Sequence, residues 1–241
     1  EERRKLIDST LSQLDSSYLT NLIKHNKILQ QRNASLKAFA EKRTFNAALL
    51  QTYDELLAPL SQVIHEKRKE FVAHLTPILQ QFYEKLSRGK EQVSCTYKSD
   101  LSDKKFDDML RENQMQDRQT QRTTQGIHRD DLSFFINTHR LKKFGSQGQQ
   151  KTFLMALKLA IYRYIQEQKQ TQAILLLDDI FDKLDLQRIE QLIEMIAQDD
   201  FGQVFISDTQ LKRIKAIFDK LCLSYRVFDI KDSQNISNLD F

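Results

Sequence analysis

Five consecutive apolar residues, Ala173–Leu177, run straight into two carboxylates, Asp178 and Asp179. An uninterrupted apolar run of that length has the pattern of a strand buried on both faces, which is typical of a parallel sheet covered by helices. The flanking sequence agrees. Residues 152–166 (TFLMALKLAIYRYIQ) and 186–198 repeat their apolar positions at helical spacing, while Val204–Ile206 and Tyr225–Ile230 read as two further strands. Strands separated by single helices predict an α/β unit with a parallel sheet. LSFFIN (132–137) is also strand-like, and NTHR is expected to turn it back into a hairpin ending near Phe144.

The chain ahead of this unit has a different character. Leu11, Leu14, Tyr18, Leu22, Ile23 and Leu29 fall near a helical repeat, as do Leu49, Tyr53, Leu56, Leu57 and Leu60 and then Val63 through Leu86. Pro59 and Pro77 are expected to start a helix or kink one, and Gly89 to stop one. EQVSCTYKS alternates like a short strand near 91–98, residues 103–116 read as an amphipathic helix, and DRQTQRTTQ as a polar loop. The heptad order is too irregular to predict a long coiled coil, so a short helical hairpin arm is expected. Five glycines and two prolines in 241 residues fit long helices better than a turn-rich β-sandwich. Two domains follow from this reading: a helical arm over 1–125 and an α/β portion over 126–241. The first carries 21 basic and 17 acidic side chains and the second 16 of each, so the whole excess of +4 lies in the arm.

Composition excludes several classes. No apolar run approaches the roughly 20 residues of a membrane span. Cys95 and Cys222 make no disulfide framework and suit a reducing compartment. Five histidines and two cysteines show no zinc spacing, and no Ser-His-Asp set can be assembled. The opening, EERRKLIDSTLSQLD, is a charged amphipathic helix without a signal-peptide core; it begins mid-pattern with no Met and reads as part of a longer chain.

Two segments carry chemistry. Asp178 and Asp179 would stand at the carboxyl edge of the sheet, where α/β proteins bind ligands. Asp178 is suited to hold Mg²⁺ through water, since that ion takes one or two carboxylates beside phosphate oxygens, and Asp179 to orient or deprotonate an attacking water. The alternative is that the pair caps the next segment and faces solvent; Asp182 and Asp185, after FDKL, weigh toward function. The second segment is GSQGQQ (145–150), just before the long helix. Free backbone N–H groups, a hydroxyl and the positive end of the helix dipole make it an anion site suited to phosphate. An ordinary Ser N-cap is the plainer reading. No G-x-x-x-x-G-K-[ST] occurs; Gly89-Lys90 lacks the upstream glycine and the following hydroxyl.

GSQGQQK resembles the signature motif of ATP-binding-cassette ATPases, ILLLDD their Walker B strand and FDKLD their D-loop. Taken together, GIHRDDL, GSQGQQKT, ALKLA and ILLLDDIFDKLD resemble the RecF family of bacterial recombination-repair proteins, relatives of the SMC-type ATPases. ERRKLIDSTLSQLD, QRNASLK and RKEFVAHL extend the resemblance over essentially the whole chain. It implies the C-terminal two-thirds of such a protein, the P-loop segment being absent, with an ABC-type ATPase head portion joined to a helical arm. It also implies that ATP is held by the P-loop and Walker B of one subunit and capped by the signature of another. Ser146 and Gly148 would then touch the γ-phosphate in trans, with Gln147 and Gln149 beside them. Asp178 would position Mg²⁺, Asp179 would act on water, and Asp185 would sit at the seam of an ATP-dependent homodimer.

The motifs depart from the cassette pattern in places. Gly145 and Gln147 replace the first and third residues of LSGGQ, although RecF proteins share the glutamine. Asp179 stands where transporters commonly have Glu, and Ser207, Asp208 and Thr209 replace a switch histidine; slow hydrolysis is the expectation. Ile127 replaces the proline of G-P-H-R-D-D. That motif lies near the nucleotide seam in the family, whereas the residues alone suggest that Arg129 pairs with Asp130 or Asp131 and His128 packs under the sheet.

The family further implies DNA at gaps or single-strand/double-strand junctions, a RecR-type mediator partner and a cytoplasmic location. Lys67–Lys69, Arg3–Lys5, Arg32, Lys37, Lys42 and Arg43 are candidate phosphate contacts on the arm. A full-length member is expected to be a weak DNA-dependent ATPase and these 241 residues to be inactive alone. The competing reading is a non-enzymatic arm and interaction module, because the chain has no P-loop.

Overall fold

The structure is a computed structural model that describes every residue except 90, 103–105, 179–184, 199–200, 210, 233–234 and 240–241. Three helices open the chain, α1 (Glu2–Leu14), α2 (Ser16–Glu41) and α3 (Ala47–Ser87). Then come β1 (Val93–Lys98), α4 (Phe106–Thr120), β2 (Asp131–Ile136), β3 (His139–Arg140), α5 (Leu141–Phe144) and α6 (Gln147–Lys169). The remainder is β4 (Leu175–Asp178), α7 (Leu186–Gln198), β5 (Val204–Ser207), α8 (Leu211–Lys220), β6 (Val227–Asp232) and β7 (Asn235–Leu239).

The spine of the molecule is α3, 41 residues or about 60 Å at 1.5 Å per residue. Asp15 caps α2 through its carboxylate, which accepts from the amides of Ser17 and Tyr18, and Asn46 caps α3 by accepting from Leu49. Buried positions on α3 recur every seven residues in three rows. One is Leu50, Leu57, Ile64, Phe71 and Ile78; another is Ser61, Arg68, Leu75 and Phe82; the third is His65, Val72, Leu79 and Leu86. The seven-residue order is therefore regular in space and irregular only in residue type, because Ser61, His65 and Arg68 occupy seam positions. Both prolines lie inside α3 and neither begins a helix. Each removes an amide donor, a cost of about 3 kcal/mol in a helix interior, which the burial of fourteen α3 side chains offsets.

Helices α1, α2 and α6 pack along this spine, with Phe71 meeting Tyr164 edge-to-face at 4.8 Å. The strand expected near 91–98 forms as β1 and pairs antiparallel with β2, Val93 opposite Ile136 and Lys98 opposite Asp131. A sheet thus joins residues on either side of Gly126, and one core cluster runs from Ile7 to Ile217. The hairpin expected through NTHR closes at Asn137, but β3 lasts two residues and Leu141–Phe144 is a helical turn. Helix α4 runs to Thr120, so part of the expected polar loop is helical. Asp117 explains why: it is fully buried, paired with Arg32 at 2.7 Å, and its other oxygen accepts from the amide of Thr124.

β4 and β5 are parallel, Leu175 opposite Val204 and Asp178 opposite Ser207. α6 supports them from below, its Tyr162 hydroxyl donating to the carbonyl of Ala173 at 2.7 Å. The expectation of burial on both faces does not hold. Leu175 and Leu177 face the core, whereas Leu176 is 71% exposed, Ile174 59% and Phe205 46%. The third expected strand, β6, pairs antiparallel with β7 in a separate ribbon. Among the described residues no helix is long and apolar enough to cross a membrane.

Candidate nucleotide-binding site

Ser146 is the N-cap of α6 and takes part in a reciprocal cap. Its hydroxyl accepts from the Gln149 amide at 3.2 Å, and the Gln149 side-chain oxygen accepts from the Ser146 amide at 2.7 Å. That leaves the amides of Gln147 and Gly148, the first two residues of the helix, without acceptors inside it and pointing outward at the positive end of the dipole. Ser146 and Gln147 are exposed. Gly145 must be glycine because a Cβ there would lie 2.7 Å from the carbonyl oxygen of Leu141 and 2.8 Å from its Cδ1. The turn that presents Ser146 therefore depends on a close backbone approach.

Two elements converge on this helix end. From the α3 side, Glu91 accepts from the Tyr83 hydroxyl at 2.6 Å through one oxygen and from the Gln149 side-chain amide at 2.5 Å through the other. Burial, then the hydrogen bond to Glu91, raises the Tyr83 phenol well above its ordinary value. From the other side comes Arg188 of α7, whose Nη1 would lie 3.4 Å from a Cβ on Gly148. Asp185 caps α7: it accepts from the Arg188 amide at 3.0 Å and pairs with the Arg188 guanidinium. Arg188 thus brings Gly148 and Asp185, predicted as signature and D-loop residues, to one place.

Asp178 ends β4, exposed, and accepts from the Ser207 hydroxyl of β5. A carboxylate beside a hydroxyl at a strand edge is an all-oxygen donor set, the kind that suits Mg²⁺ sharing phosphate oxygens rather than an all-protein cage. Among the described residues there is no cluster of three or more His, Cys, Asp or Glu able to hold a metal alone. Asp179 and Asp182 lie outside the described residues.

Several sequence-based expectations are corrected. Arg129 pairs with neither neighbour: Asp130 is bound by Arg68 at 2.8 Å and Asp131 by Arg3 at 2.6 Å. His128 is half-buried with Nε2 3.1 Å from the Thr123 carbonyl, and burial lowers its pKa. Arg68 and Arg32 leave the set of DNA contacts, being 1% and 0% exposed inside ion-pair networks. Lys67 binds Asp15 at 3.3 Å, whereas Lys37, Lys42, Arg43 and Lys69 remain exposed. Arg188 and Glu91 were missed, and Ser207, named only as a replacement at the switch position, was not expected to bind Asp178. Arg188 had a signal, its place three residues after a helix-capping aspartate, while Glu91 and Ser207 reach the site only through tertiary packing.

No protein-family model matches the chain. It is similar to the DNA replication and repair protein RecF of Flavobacterium johnsoniae, 46% identical over 230 residues that cover 95% of this chain and 64% of the relative. The RecF of Bacteroides fragilis is 38% identical over 96% of this chain and 62% of its own. The chain belongs to the RecF family. It spans under two-thirds of the length of these relatives. Among solved structures, the recombination mediator protein RecF-ATPrS of the RecFOR pathway superposes with a TM-score of 0.81 at 26% identity, over 99% of this chain and 63% of that one. RecF-ATP of the same pathway gives 0.76 at 27% identity, over 86% of this chain and 57% of that one. The α/β fold with a helical region is thus that of RecF.

Proposed function

We propose that the chain supplies the signature and Walker B parts of a RecF-type ATPase of recombinational repair and replication-fork maintenance. In this reading it pairs with a second copy when ATP lies between them. The observation that carries the reading is the exposed, Ser-capped start of α6, held against Asp185 through Arg188. The likeness to RecF structures solved with ATP and ATPrS supports it.

Ser146 and the amides of Gln147 and Gly148 receive the γ-phosphate of a nucleotide bound by the other copy, with Gln149 holding the turn. Asp178 would hold the metal of its own copy's nucleotide and Asp179 would orient water. Mg²⁺, when bound, would supply positive charge against the phosphates. Asp185 lies at the seam. Phosphate charge is neutralised only when both surfaces meet, so dimerisation is linked to nucleotide. Gapped or junction DNA, a RecR-type mediator and a cytoplasmic setting complete the proposal.

The test uses the protein carrying its upstream P-loop sequence. Light scattering with ATP should show dimers for the wild type and monomers for Ser146→Arg, with ATP binding unchanged. Persistent dimers in the variant refute capping at Ser146. A protein indifferent to ATP returns the chain to the reading of an arm and interaction module.

A further inference from the structure

Glu91 lies in none of the sequence motifs, yet its carboxylate joins the long helix α3 to the start of α6. The backbone beside it is pinned. The Gln92 amide donates to the Asn137 side-chain oxygen at 3.0 Å, and the Asn137 amide donates back to the Gln92 carbonyl at 2.7 Å. The Val93 amide donates to Gln80 Oε1 of α3 at 2.6 Å. The hydroxyl of Tyr83, a side chain 1% exposed, holds one carboxylate oxygen of Glu91. The other oxygen faces the Gln149 side chain.

A carboxylate can only accept hydrogen bonds. Gln149 must therefore turn its NH₂ group toward Glu91, which directs its oxygen to the Ser146 amide, 2.7 Å away. The reverse orientation would set two donors against each other at Ser146 and open the cap. With the cap closed, the Ser146 hydroxyl accepts from the Gln149 amide and keeps its own proton free to donate outward. One acceptor, 58 residues earlier in the chain, thus sets the hydrogen-bond polarity of the whole turn.

We propose that Glu91 is a positioning residue for capping between two copies: acting through Gln149, it fixes the Ser146 hydroxyl as a donor toward the other copy. The inference rests on the reading of Ser146 as the cap of a nucleotide held by that copy. It makes the end of α3, through Tyr83, part of the capping device. A turn held in advance removes ordering cost at the moment of pairing. The plainer role for a carboxylate here is to complement the positive end of the α6 dipole. That role needs no Gln149 and is lost when the charge is lost, so the two are separable.

The test uses the protein carrying its upstream P-loop sequence, with dimer dissociation constants measured by light scattering in ATP. Glu91→Ala should weaken the dimer about tenfold, the order expected for losing a hydrogen bond to a charged group, with ATP binding unchanged. Glu91→Gln should restore it, because its oxygen accepts from Gln149 and its NH₂ donates to the Tyr83 oxygen. In a Gln149→Ala background, Glu91→Ala should add no further loss. Hydrogen exchange over residues 141–153, read by mass spectrometry without nucleotide, should quicken in Glu91→Ala and not in Glu91→Gln. Tyr83→Phe removes only the hydroxyl that aims Glu91; it should shift both readouts the same way and carries the test if Glu91→Ala does not fold. Wild-type dimerisation in these variants, a Glu91→Gln protein as weak as Glu91→Ala, or unchanged exchange over 141–153 overturns the proposal. Ser146→Arg is the control: if it also dimerises with ATP, the capping reading is what has fallen.

Discussion

Replacing Arg68 by methionine should cost more stability than its place in a Lys-Arg-Lys run suggests, and the cost should depend on pH. The guanidinium is 1% exposed and binds Asp8 through two nitrogens at 3.0 Å, Asp130 at 2.8 Å and the Ile127 carbonyl at 2.7 Å. Methionine fills much of the volume but leaves the Asp130 side chain, 1% exposed, without its cation. Breaking a buried pair from one side costs roughly 3–5 kcal/mol, and at about 2–4 °C per kcal/mol for a chain this size the midpoint should fall by about 6–20 °C. Burial already raises the Asp130 pKa above its usual 3.8 against the pull of Tyr97 and Arg68. A carboxyl with a raised folded pKa binds its proton more tightly when folded, so its contribution to stability falls as pH rises above 3.8. Losing the cation raises that pKa further. The deficit of the variant should therefore be smallest near pH 4 and grow toward neutrality. His65, whose pKa burial lowers, loses stability as pH falls below 6.5 in both proteins and largely cancels in the difference. Denaturant melts at several pH values measure this. A deficit under about 1 kcal/mol at pH 7, well short of the buried-pair range, or one that does not change with pH, would refute the reasoning.

His25 is buried and its pKa lowered to about 4, mainly by burial. The unfolded chain takes up the proton first, so stability on the order of 3 kcal/mol is present above pH 6.5 and lost as pH falls toward 4; NMR titration of the ring should give an apparent pKa far below 6.5. Gly145→Ala should cost roughly 1–3 kcal/mol, because the new Cβ meets a backbone oxygen at 2.7 Å; thermal melts test it, and no change would mean that the turn is not tightly packed. Gln170 closes α6 in the left-handed region at φ +51°, so Gln170→Gly should stabilise by about 1 kcal/mol by relieving the Cβ contact; a lower melting point would contradict this.

Much of the fold was legible because its signals are local. The apolar runs gave β4 and β5, and the helical repeats gave α3, α6 and α7. What sequence could not show was where polar residues in a repeat would go. Arg68 between Lys67 and Lys69 reads as part of a solvated basic run, yet seven-residue spacing puts it in the same row as Leu75 and Phe82 while its neighbours point outward. Asp117 was hidden likewise, in a polar stretch whose partner Arg32 is 85 residues away. The site was legible at Ser146, where a cap and its glutamine stand three apart. It was not legible at Glu91, whose role exists only because β1 begins beside the α6 start.

These polar exceptions share a cause. α3 is bonded at its middle to residues 127–130 through Arg68, and near its end to the α6 start through Tyr83 and Glu91. The spine therefore carries both the turn at 126–131 and the turn of Ser146, some four helical turns apart along it. An all-apolar seam would have packed with less desolvation cost, but apolar contacts fix neither the rotation of a backbone carbonyl nor the aim of a side-chain amide. Directional bonds do. The buried Arg68 network and the Tyr83–Glu91–Gln149 chain stand where the spine holds an exposed turn in one orientation, so the seven-residue order of the sequence breaks in residue type at Arg68 while remaining unbroken in space.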